Sequence, residues 1–186
     1  MKKFPFVCGL LLLLFVPNLL QAQRHRDPLT QQEIGQVRDT SWEPKLRLPL
    51  YLQFARARLV KLEEIRNDPK TKDRAKQTHD LLDDFQLLYD ELNDNIDTYV
   101  DRKNDIRKPL KAIIDADTEF QAKLLALKDA AGVPAEEARQ YEFVLTSALD
   151  TLDTSAKDHR KLLAEQQEAA KHRRKSDAQP PGGKSE

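Results

Sequence analysis

The sequence predicts an all-α protein, an elongated antiparallel bundle of three long helices with coiled-coil-like seams. Three observations carry this. The 186 residues are 33% charged, with five glycines and 6% aromatics, a composition that suits long helices better than sheet. Apolar residues recur in steps of three and four from Leu81 to Leu127. Two strong turn signals, "NDPKTKD" and "DAAGVPAEEA", separate the periodic stretches.

The first segment, residues 1–23, reads as a secretory signal. "MKKFPFVCGLLLLLFVPNLLQAQ" has two lysines, an apolar run over residues 4–16, then Pro17 and a polar exit. Cleavage is expected after Ala22 or Gln23. The alternative is an uncleaved membrane anchor, but the run is short against the ~20 residues of a spanning helix. Cys8 stands before most of the run, which argues against lipidation. It is the only cysteine, so the mature chain has no disulfide, thiolate nucleophile or cysteine-bound zinc. The whole chain balances 31 bases against 31 acids, and losing Lys2 and Lys3 leaves a mature net charge of about −2. Nothing there points to a nucleic-acid partner. An exported protein is expected, periplasmic or extracellular.

Residues 24–43 are a polar lead that can hold a short helix. Thr30 is a candidate N-cap, with Glu33 three residues on and Leu29 and Ile34 placed as a hydrophobic staple. Pro44 and Pro49 interrupt or kink the chain after it. The bundle domain covers residues 44–175. Its first firm helix is expected from Leu50 to about Arg66, with Tyr51, Phe54, Ala55, Leu59, Leu62 and Ile65 on one face.

The middle helix starts near Thr71 to Asp73. Its seam is Leu81, Phe85, Leu88, Leu92, Ile96, Tyr99, Ile106, Leu110, Ile113, Phe120, Leu124 and Leu127, with Lys103 and Asp117 in two slots. The register runs unshifted through Pro109, so one continuous kinked helix is expected. At ~55 residues it would span roughly 80 Å. The alternative is a break near Pro109, which gives a compact four-helix bundle. Gly132 suits a left-handed cap, and Pro134 suits the next helix start. The last helix carries Ala138, Tyr141, Leu145, Ala148, Leu149, Leu152, Ala156, His159, Leu163 and Ala170 on one stripe. "SDAQPPGGKSE", residues 176–186, reads as a disordered tail.

A stripe of aspartates runs along the middle helix: Asp90, Asp94, Asp97, Asp101 and Asp105. Like charges at that spacing cost about 0.2–0.5 kcal/mol per pair. Residues 73–101 carry nine acids and two bases, whereas residues 43–66 and 160–175 are net basic. Folding back at the two turns puts Arg47 and Arg56 at the levels of residues 93 and 84. It puts Lys171 and Arg174 at the levels of 94 and 91. The preferred reading is that these charges set register and neighbour choice in the bundle. The others are a docking strip for a basic partner and a divalent-cation site.

His79 and Asp83 lie four residues apart and could supply two metal ligands, which is not yet a site. His159 sits on the apolar stripe as a packed, hydrogen-bonded histidine. Asp117 is a seam polar residue of the kind that fixes register. His25 and His172 look solvated. No nucleophile elbow or phosphate loop is present, and an enzyme is not expected. No cofactor is implied. "KHRRK", residues 171–175, could touch an anionic membrane surface. The expected function is an exported helical scaffold or protein-interaction protein, partnering another protein or itself. Its layout is similar to that of periplasmic helical chaperones, an analogy of architecture alone. The alternative is a periplasmic divalent-metal binder using the aspartate stripe with His79.

Overall fold

The computed structural model describes residues 27–177, so the expected signal segment with Cys8, His25 and most of the tail lie outside the described residues. The described chain is all helical: α1 Gln31–Asp39, α2 Pro44–Asn67, α3 Arg74–Asp101, α4 Arg107–Lys128, α5 Ala135–Arg139 and α6 Glu142–Asp177.

The capping box starts α1. Thr30 Oγ1 accepts from the Glu33 backbone at 3.2 Å, and Glu33 Oε2 accepts from the Thr30 backbone at 2.8 Å. Glu33 also pairs with the nearly buried Arg58, tying α1 antiparallel along α2. Ser41 and Trp42, both left-handed at φ 48° and 63°, turn the chain into α2. That helix begins at Pro44, six residues before the firm start expected at Leu50. Pro44 sits at the first helical position, where a missing N–H costs nothing. Pro49 lies inside the helix and is exposed.

The middle helix is not continuous. It ends at Asp101, and α4 begins at Arg107. The break is a Schellman cap: Asn104 N donates to Tyr99 O at 2.9 Å, and Lys103 N donates to Val100 O at 2.8 Å. Lys103 takes the left-handed place usually given to glycine, at φ 59°. Gln166 of α6 then bridges the turn. Its Oε1 accepts from Ile106 N, and its Nε2 donates to Asn104 O, each at 3.1 Å. Pro109 falls in the first turn of α4, before the first internal bond, Leu110 N to Ile106 O. Its absent donor therefore removes no helical hydrogen bond.

Because the chain reverses there, α3 and α4 lie antiparallel across the core, with Phe85 against Phe120 at 5.4 Å. Helix α2 packs on α3 and α4, and α6 packs on the same two. The α2 and α4 axes run parallel, from the Arg56–Glu119 and Glu63–Lys123 pairs. Likewise α3 and α6 run parallel, from Gln86–Ser147 and Asn93–Ser155. This is the four-helix arrangement that a break near Pro109 implies.

The expected seam residues fill the core except Leu81, which is half-buried while its neighbour Leu82 is fully buried. Phe54, Leu59, Phe85, Leu88, Leu92, Tyr99, Ile106, Leu110, Ile113, Phe120, Leu124 and Leu152 are all buried. Slot 103 is exposed because it is the cap rather than a seam turn. Gly132 is left-handed at φ 78°, three residues past the α4 C-cap, and Pro134 is the N-cap of α5. No described helix is long and apolar enough to cross a membrane.

Candidate functional site

At mid-height three helices converge on one buried polar chain. Helix α3 contributes Tyr89 and Asn93, α4 contributes Asp117, and α6 contributes Ser155 and His159. The spacing explains the convergence. Tyr89 and Asn93 stand four apart on α3, as do Ser155 and His159 on α6, so each pair occupies one helical face. Asp117 occupies an apolar-seam slot of α4 and therefore points into the core.

The geometry is closed. Tyr89 Oη donates to Asp117 Oδ1 at 2.7 Å. His159 Nδ1 lies 2.9 Å from Asp117 Oδ2, and its Nε2 lies 3.1 Å from Asn93 Oδ1. Asn93 Nδ2 donates to Ser155 Oγ at 2.9 Å. The Asp117 side chain has 0% exposure and that of His159 has 5%, so each bond stands in place of water. Burial first, and then the Asp117 carboxylate, push the Tyr89 phenol far above its ordinary range, which keeps it a donor. An aromatic shell surrounds the network. Phe85 stacks on Tyr89 at 5.8 Å, and Phe120 meets Tyr89 edge-on at 6.4 Å.

One edge of this network meets a groove of about 290 Å³. Asn93, Ser155 and His159 line it, together with the charged Asp97, Asp158, Lys161 and Glu165. Asp117 and Tyr89 stay behind. The arrangement joins carboxylate, imidazole and phenol in one hydrogen-bonded chain in the core. It also locks the α3–α4–α6 register, because any slip would orphan a buried polar group.

Sequence reasoning singled out Asp117 and His159 separately, and the structure joins them. Tyr89 and Asn93 were missed. Tyr89 follows Leu88 off the seam, and its partner lies 28 residues away, so no local pattern marks it.

The other expected residues are scattered. Asp90 is half-buried, and Asp94, Asp97 and Asp101 are exposed. Burial, and then the Asp94 carboxylate, raise the Asp90 carboxyl above its ordinary value. None of these four makes an ion pair among the described residues. Arg47 reaches the level expected of it, but its Nε donates to Asn95 Oδ1 at 2.8 Å rather than to an aspartate. Arg56 pairs with Glu119 of α4 at 2.9 Å. Lys171 pairs with Glu168 of its own helix at 2.6 Å. The reversal at residues 102–106 carries the end of α6 past the last turn of α3. Lys171 therefore lies at the level of the α3–α4 turn and not of Asp94. Arg174 lies in α6, and its side chain is outside those described. His79 is exposed, with Nδ1 3.7 Å from Asp80, and Asp83 is half-buried. Among the described residues no three histidine, aspartate or glutamate side chains converge as metal ligands.

No protein-family model, curated protein or solved structure matches the chain.

Proposed function

We propose that the chain is an exported, non-catalytic helical scaffold that docks another protein along the outer edge of α3. One observation carries this reading. Asp90, Asp94, Asp97 and Asp101 hold four same-sign charges over three helical turns, and no cation of the described chain pairs with them. Like charges at helical spacing oppose the helix that carries them, and a basic partner segment would offset that cost. The export expectation rests on residues 1–23. A chaperone-like role in a bacterial envelope fits a strip that reads charge rather than sequence.

The test is suppression of aggregation of a basic unfolded client, such as reduced lysozyme. Wild type is compared with a D90N/D94N/D97N/D101N variant, at low salt and at about 1 M salt, where the screening length is about 3 Å. Suppression by wild type that is lost both in the variant and at high salt supports the reading. Equal suppression by the two proteins, or none by either, rejects it. A calcium arm addresses the divalent-cation alternative, which predicts a calcium-dependent rise in wild-type stability that the variant lacks.

A further inference from the structure

The end of the bundle where α2 and α4 begin carries a groove of about 320 Å³, lined by Lys45, Asp105, Arg107, Lys108, Lys111 and Gln167. Three helices and the α3–α4 turn build it. Lys45 comes from α2, Arg107, Lys108 and Lys111 from α4, Gln167 from α6, and Asp105 from the turn. Four cations therefore face one acid. That acid is already engaged: Arg107 donates to both Asp105 carboxylate oxygens. The Arg107 hydrogen bonds hold the Asp105 carboxyl down at about 2, so it stays ionised and Arg107 stays occupied. Lys45, Lys108 and Lys111 are exposed, and none makes an ion pair or side-chain hydrogen bond among the described residues.

The surroundings add to the positive potential. Helices α2 and α4 run parallel and side by side, so their positive ends meet at this groove. Neither has a capping side chain, and neither places an acid in its first turn. Helix α3 shares this lack at the far end of the bundle, whereas α1, α5 and α6 place acids in their first turns. Three like charges gathered from two helices repel one another and oppose both dipoles. A multiply charged anion seated between them would reverse every one of those terms.

We infer that this groove binds a phosphate group, with Lys45, Lys108 and Lys111 as point-charge donors and the Gln167 amide as a neutral one. Lysine ammonium groups suit a tetrahedral dianion, which accepts hydrogen bonds from several directions. The same chemistry is offered by a free phosphate compound and by the headgroup of an anionic lipid. The site is separate from the aspartate strip of α3 and does not rest on the docking role proposed for it.

The experiment titrates the full chain with inorganic pyrophosphate at low salt by calorimetry. In parallel it is sedimented with phosphatidylglycerol and phosphatidylcholine vesicles. A K45Q/K108Q/K111Q variant is compared with K61Q/K72Q/K128Q, which removes the same charge at the far end of the bundle. The apolar N-terminal segment is common to all proteins and cancels between them. Binding should weaken about tenfold or more in the groove variant and stay near wild type in the control. Pyrophosphate should also shift the backbone amide resonances of Arg107, Lys108, Leu110 and Lys111 in the wild-type chain, a readout that needs no variant. Pyrophosphate binding without vesicle binding assigns a soluble phosphate. Phosphatidylglycerol binding without pyrophosphate binding assigns a headgroup. Binding of neither probe overturns the inference, as does equal weakening in both variants.

Discussion

The Tyr89 hydroxyl donates to the Asp117 carboxylate at 2.7 Å across the centre of the bundle, and neither side chain reaches water. This bond joins α3 to α4, two helices that are consecutive in the chain but lie on a diagonal of the core. Tyr89→Phe keeps the ring packing and removes one donor from a buried carboxylate. It should cost about 1–3 kcal/mol of stability in denaturant unfolding. His159→Leu should cost a similar amount. The double variant should lose a different amount from the sum, because both side chains serve the same carboxylate. Strict additivity would show that the network is not coupled.

The α3–α4 turn holds Lys103 in a left-handed conformation at φ 59°. A side chain there is strained, and glycine is the residue the Schellman geometry prefers. Lys103→Gly should raise stability by about 0.5–1 kcal/mol. Gln166→Leu should lower it by about 1–2 kcal/mol, because two backbone groups of the same turn lose their partner. Thermal melts of the two variants moving in the same direction would contradict this account.

Glu137 receives Arg74 at 2.8 Å and Arg66 at 3.4 Å. The Arg74 hydrogen bonds, and then its charge, hold the Glu137 carboxyl below its ordinary value. A depressed folded value contributes stability above the unfolded value, near pH 4.5. That stability is lost as the pH falls through the folded value. Glu137→Gln should therefore destabilise the protein at pH 7 and have less effect at pH 3. Stability measured by urea unfolding at both pH values checks the sign.

The aspartate strip makes the opposite prediction. Asp90 has a raised folded value, so its ionised form is disfavoured by folding at neutral pH. The D90N/D94N/D97N/D101N variant should be more stable than wild type at low salt. With three adjacent pairs removed, the gain is on the order of 1 kcal/mol, and it should shrink as salt rises. A destabilised variant would mean that the carboxylates have partners within the fold.

Phe120 is fully buried against Phe85 and Tyr89. Phe120→Ala should cost about 3–5 kcal/mol, with disruption of the aromatic shell around Asp117. A loss below about 1 kcal/mol in equilibrium unfolding would show that the core collapses freely at this point.

Much of the helix content was legible because it rests on local rules. Thr30 and Glu33 sit at capping-box spacing, and they form that box. Tyr51, Phe54, Ala55, Leu59, Leu62 and Ile65 share the face that helical spacing predicts, and all six are buried. Asp117 and His159 break the apolar pattern of their helices, which marked them as polar residues of the core. The break at residues 102–106 was not legible for two local reasons. Its left-handed cap is a lysine where glycine is the usual sign, and Pro109 sits where it breaks nothing. The seam register also passes through the break unshifted, since Ile106 is buried as the N-cap of α4 while Tyr99 is buried in the last turn of α3.

The sequence by itself determined which segments are helical and which faces turn inward. Those are properties of residues three or four apart, fixed by the pitch of the helix. Only the tertiary structure decided that α4 folds back antiparallel to α3, across the core from it. That choice depends on Gln166, more than sixty residues from Asn104, satisfying the backbone of the turn. The same reversal brought Tyr89 to Asp117 and carried Lys171 away from the level of Asp94. It also set the positive ends of α2 and α4 side by side with Lys45, Lys108 and Lys111. Contacts over such separations depend on which helices become neighbours, and no periodicity along a single helix encodes that.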